Sequence, residues 1–157
     1  GDSSVAVWNT DGILLSVLDG NKSEVLSLAA TLDGSIFSGS QDGVLSIWVP
    51  PCTTPTKQID LGNHAAIECL IFNDDRLYGS HGDRIYVWTD VGEILQTLEG
   101  NGQTSALAVA NPPVEIAHER DGSQNNATSQ NETHALSGVM LISGAYSGRY
   151  RVYTDEG

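Results

Sequence analysis

Four histidines (His64, His81, His118 and His134) and two cysteines (Cys52 and Cys69) are the most reactive side chains in this 157-residue sequence. A metal centre or an activated nucleophile needs two or three such groups converging with an acid at ligand spacing. That spacing is missing: His118 and His134 stand in a polar segment, while His64 and His81 fall at the boundaries of apolar runs. Cys52 sits among prolines and Cys69 in an alternating run, so both read as ordinary thiols of a reducing compartment. No two of the 20 Asp and Glu residues are marked out by position as an acid–base pair. Asp19-Gly20-Asn21-Lys22-Ser23 begins like a calcium loop, but Lys22 interrupts its charge and Glu24 stands where a turning Gly is needed. Gly138, Gly144 and Gly148 lack the spacing of a phosphate cradle. No catalytic residue, metal or cofactor is therefore expected. Sequons at Asn21, Asn126 and Asn131 would matter only in a secreted protein, and so Asn- and Ser-rich a sequence produces them by chance.

The charge balance narrows the partners. Seven Lys and Arg against 20 Asp and Glu give a net charge of −13. Such a field repels phosphate backbones and anionic lipid, so neither nucleic acid nor a membrane is expected as a partner. Apolar stretches such as 13–18 are far shorter than the roughly 20 residues that span a bilayer, and no basic-then-apolar leader opens the chain. A soluble cytoplasmic or nuclear protein is the expectation.

What would position any site is a repeat. Val5-Ala6-Val7-Trp8, Leu45-Ser46-Ile47-Trp48 and Ile85-Tyr86-Val87-Trp88 are copies of one signature, and Tyr150-Arg151-Val152-Tyr153 is an aromatic-swapped fourth. The intervals Trp8 to Trp48 and Trp48 to Trp88 are both 40 residues, a period that marks copies of one supersecondary unit. From Trp88 to Tyr153 the interval is 65. The excess falls in 111–137, a polar segment too poor in apolar area to offset its chain entropy, and it is expected to be a mobile loop. About 3.3 units remain, and since stacked units need neighbours, the chain reads as part of a larger array.

Short runs rich in Val, Ile, Leu and aromatics, bounded by Gly, Asp, Asn or Ser, predict strands at 5–8, 13–18, 25–30, 36–40, 44–48, 58–61 and 67–72. Further runs follow at 77–80, 84–88, 94–98, 106–110, 139–143 and 150–153. No window has a helical period. Asp11-Gly12, Asp33-Gly34 and Asp42-Gly43 read as hairpin turns that make consecutive strands neighbours. At the ends of alternating strands, the regularly spaced tryptophans read as packing residues between units rather than as a ligand surface.

The segment SIFSGSQDGVLSIW, residues 35–48, resembles the second half of a WD repeat. The whole chain is similar to the WD-repeat β-propeller family, which implies an all-β, WD-type propeller fragment of four-stranded antiparallel blades. On that template, 1–20 ends one blade, 21–61 and 62–98 are complete blades, and 99–157 is an incomplete blade carrying the insertion. The family joins a His, a strand Ser or Thr, a turn Asp and the Trp in a buried hydrogen-bonded tetrad. The match here is Asn21, Ser38, Asp42 and Trp48, with Asn in place of His. The next unit keeps Trp88 but has Tyr78 and Gly82 at the other positions, so the polar networks are expected to be incomplete. Trp8, Trp88 and Tyr153 are the corresponding blade-packing residues.

The resemblance implies a non-catalytic scaffold for protein partners, with the missing blades supplied by a longer chain or by self-association. Gln41, His81, Asp83 and Tyr146 are the expected contacts. The competing class is a propeller attached to an enzyme, such as a ubiquitin-ligase substrate receptor or a kinase, or a secreted metal-dependent ectodomain. No Trp here is followed by the Asp-x-Arg that certain ligase-docking propellers carry.

Overall fold

The computed structural model describes residues 3–100, 102–110, 140–145 and 148–153, and within them every regular element is a strand. In chain order these are β1 (Val5–Trp8), β2 (Leu14–Leu18), β3 (Val25–Ala30), β4 (Ile36–Ser40), β5 (Val44–Trp48), β6 (Lys57–Asp60) and β7 (Leu70–Asn73). There follow β8 (Arg76–His81), β9 (Arg84–Thr89), β10 (Ile94–Glu99), β11 (Thr104–Ala110), β12 (Met140–Ala145) and β13 (Tyr150–Tyr153). The insertion 111–137 and Tyr146 lie outside the described residues.

Most hairpins use one local device. Asn9, Thr31, Ser40 and Thr89 each open a three-residue loop whose last member is Gly12, Gly34, Gly43 or Gly92, all at positive φ. The opening side-chain oxygen accepts from the N–H four residues on, at 2.8 Å for Asn9, 3.0 Å for Thr31 and Thr89, and 3.2 Å for Ser40. Only Gly takes the left-handed conformation there without steric cost, and the resulting twist matches that of paired strands. The Asp-Gly turns are thus three-residue loops rather than tight two-residue ones. Two-residue turns occur instead at Asp74-Asp75, both at positive φ, and at Gly82-Asp83.

Antiparallel pairing gives four sheets in the orders β1-β2, β3-β4-β5-β6, β10-β9-β8-β7 and β11-β12-β13. Strand edges differ from expectation where the chain crosses between sheets. Residues 67–69 were expected in a strand, but Ile67 N–H donates to Ser40 O of β4 at 3.1 Å, so β7 begins only at Leu70. Conversely, Thr104 N–H donates to Gly82 O at 2.9 Å, and β11 begins two residues earlier than its alternating run.

Each seam between sheets has its own apolar cluster. Phe37, Leu45, Ile47, Ile67, Leu70, Leu77 and Trp88 fill the space between the second and third sheets. Tyr78, Ile85, Val87 and Leu141 lie between the third and fourth, flanked by Leu107, Val109 and Tyr153. Val5, Leu18 and Trp48 hold the first sheet on the second. Strand alternation explains the partition: in β5, Leu45 and Ile47 face forward while Trp48 faces back. Trp88 occupies the same place in β9, one sheet later.

Candidate interaction surface

Three of the four tetrad-like residues make side-chain hydrogen bonds, in two separate pieces. Ser38 Oγ donates to Asn21 Oδ1 at 3.0 Å, and Asn21 Nδ2 donates to Ser3 O at 3.0 Å. Asp42 accepts from Ser40 Oγ inside its own turn instead of joining Asn21. Trp48 is 1% exposed, and its Nε1 has no hydrogen-bond partner among the described residues; the same holds for Trp88 Nε1. A buried unpaired indole N–H costs about 1–3 kcal/mol, so these tryptophans stabilise their seams through packing alone. Tyr86 stacks on Trp88 with ring centroids 5.5 Å apart. Between the two pieces lies a small polar pocket of about 130 Å³ lined by Asn21, Asp42, Gln58 and Asp60, among others.

Trp8 departs from its expected packing role. It holds the position equivalent to Trp48 and Trp88 yet is 58% exposed, because nothing among the described residues covers that side of the first sheet.

Of the expected contact residues, Gln41 and Asp83 are exposed on adjacent hairpin turns of the second and third sheets. His81 is not on the surface. It is 4% exposed at the end of β8, edge-on to Tyr86, with Nε2 3.1 Å from Gly62 O. A carbonyl oxygen only accepts, so Nε2 carries the proton. Burial pushes the His81 pKa below its ordinary value; the Gly62 carbonyl opposes that shift, and nearby Arg84 adds to it. The ring also abuts Gly43, where an added Cβ would lie 3.1 Å from Nε2. His81 therefore lies beneath the turns carrying Gln41 and Asp83, against Gly43, rather than on their exposed surface. The all-buried pattern from Leu77 to His81 was masked in the sequence by the Gly82-Asp83 turn that follows.

His64 is exposed and at positive φ in the β6–β7 connection. Cys52 is an exposed free thiol and Cys69 a half-buried one whose pKa burial raises, with Sγ donating to Ser105 O at 2.9 Å. Among the described residues, no group of three or more His, Cys, Asp or Glu gathers as metal ligands would. An apolar pocket of about 330 Å³ opens beside Trp48, lined by Leu15, Leu18, Pro50, Pro51 and Cys52 among others.

At the other end of the sheets the turns form a groove that the sequence reading missed, between the β3–β4 hairpin and the β7–β8 and β9–β10 hairpins. Its signal was an apolar residue inside a turn, as in Thr31-Leu32-Asp33-Gly34 and Asp90-Val91-Gly92.

This arrangement of strands, seams and turns has counterparts. Residues 12–49 match the family model of the WD domain, G-beta repeat. The crystal structure of Saccharomyces cerevisiae Sqt1 superposes with a TM-score of 0.72 at 16% identity, covering 97% of this chain and 38% of that one. A chain in the crystal structure of a mitotic checkpoint complex superposes with a TM-score of 0.64 at 20% identity, covering 90% of this chain and 38% of that one. Comparison with curated protein sequences finds no match. The chain thus has a WD-type β-propeller fold, with one WD repeat matched at 12–49, and it spans 38% of the length of each of these neighbours.

Proposed function

We propose that this propeller part is a non-catalytic scaffold that binds protein partners through the turn face carrying Gln41 and Asp83. The observation behind this reading is the rigid presentation of the two turns. They belong to successive sheets, are exposed, and are braced from below by His81, which touches Gly43 of one turn and leads into the other. Short connections fixed on rigid strands are where recognition concentrates. Propellers also converge such loops at the rim of a central channel.

We also infer that the open side of the first sheet is covered in the working assembly, by further chain or by a second copy. Trp8 of β1 and Leu28 of β3 line one open apolar hollow and are 58% and 51% exposed, and apolar surface of this kind marks a contact.

The test is a pull-down from native extract with the full-length protein, comparing wild type, Gln41→Ala/Asp83→Ala and a version lacking 111–137. Loss of specific partners in the double variant, at an unchanged unfolding midpoint, supports the turn face. An unchanged partner set in that variant refutes it.

A further inference from the structure

We propose that the groove at the opposite end of the sheets binds a basic peptide segment carrying one large aliphatic side chain. The site is independent of the Gln41 and Asp83 face. The groove holds about 470 Å³, within the range of sites that take a ligand side chain and its flanks. Phe72 lies partly buried in its wall, stacked on Phe37 at 5.8 Å. Around it stand Leu32, Val49 and Val91, which are 109%, 45% and 57% exposed. Turn tips are ordinarily polar, so three aliphatic side chains exposed around one groove form a surface that gains by being covered.

The rim decides what covers it. Asp33, Asp75 and Asp90 come from three different hairpins, and among the described residues no Lys or Arg lines the groove. Thr31 Oγ1 and the Ser35 N–H both donate to Asp33 Oδ1, which fixes the carboxylate. Lys57, close by, is already engaged: its Nζ donates to Val91 O at 2.9 Å and to Gly92 O at 3.3 Å, and the exposed Arg76, next to Asp75 in the chain, does not line the groove. An apolar floor ringed by three carboxylates is complementary to Lys or Arg flanking a Leu-like residue. Three carboxylates at the rim disfavour an acidic segment, such as one from a second copy of this chain, and a phosphate backbone as occupants.

The probe is a fluorescein-labelled synthetic peptide with Arg and Gly flanking a central Leu, titrated into the full chain and read by fluorescence anisotropy at low and moderate salt. Controls replace its Leu by Ser or its Arg by Glu. Losing the Leu is expected to weaken binding roughly tenfold or more, the worth of one buried aliphatic side chain, and the Glu peptide is expected not to bind. On the protein, L32S and D33N/D75N/D90N should each weaken binding by a comparable factor. D19N/E24Q/E99Q, which removes the same charge from exposed positions at the other end, should stay within about twofold at moderate salt. Leu32 is fully exposed, so L32S tests the groove without threatening the fold. Three results would overturn the proposal: no binding of the Leu peptide, equal binding of the Ser peptide, or equal weakening by the two charge triples.

Discussion

The seam between the second and third sheets and the seam between the first and second are built from the same repeat, yet they are finished differently. In the former, six apolar side chains close around Trp88, and Phe37, Leu45, Ile67, Leu77 and Trp88 itself are wholly buried. In the latter, Val5, Leu18 and Trp48 are buried, while Leu26 and Leu28 of β3 remain open to solvent. The difference lies in what faces the inner strands. β3 meets β7 of the third sheet on one side, whereas β1 and β2 leave its other side bare. A Trp in the third strand is thus enough to fasten two sheets at mid-height. Burying the innermost strand requires the first two strands of the neighbouring sheet as well.

The largest effect that would sharpen this comparison comes from the indoles. Trp88→Ala should cost about 3–5 kcal/mol, the usual penalty for emptying a close-packed aromatic site, read as a shift of the urea midpoint by circular dichroism. Trp48→Ala should cost less, because its seam is already partly solvated. An equal loss at both sites would show that the two seams are energetically equivalent despite their different closure.

Next come two glycines at matching positions in the second strands of their sheets. A Cβ on Gly39 would lie 2.4 Å from Ile67 Cγ2, whereas one on Gly144 would meet nothing closer than Ala106 Cβ at 3.7 Å. Gly39→Ala should therefore cost about 1–3 kcal/mol through overpacking, and Gly144→Ala should stay within about 0.5 kcal/mol.

A subtler effect belongs to His81. Its folded pKa lies below the unfolded value of about 6.5, so near and below that pH the unfolded chain binds more protons. Stability is then full above about pH 6.5 and falls as the pH drops toward the folded pKa. His81→Gln should flatten this acid limb, measured as urea midpoints at about pH 7 and pH 5.5. An unchanged slope would show that the ring is not held neutral by its seam.

The smallest change in stability is expected for Trp8→Ser, within about 0.5 kcal/mol. Its visible consequence should be reduced self-association by sedimentation, since it removes apolar area from the open side.

The repeat and the strand ladder were legible because they rest on local rules. Alternation fixes which residues of a strand share a face, and a Gly three residues past an Asn, Ser or Thr closes a hairpin within its own segment. The candidate site was legible only in part. Gln41 and Asp83 lie on exposed turns, as their types suggest. His81, with the same turn-like context, is buried by residues from a different sheet. Asn21 and Ser38 pair as the tetrad template implies, but Asp42 turns to Ser40, two residues away, because a local hydroxyl reaches it without any tertiary arrangement.

The sequence by itself determined the number and order of strands, the turn positions and the equivalence of the three indoles, since each depends on contacts within a few residues. Only the tertiary structure decided that Trp8 is exposed while Trp48 and Trp88 are buried, that His81 lies beneath two turns, and that Asp33, Asp75 and Asp90 ring one apolar groove. Those outcomes depend on which sheet stacks against which, and the groups involved come together only when segments tens of residues apart pack face to face.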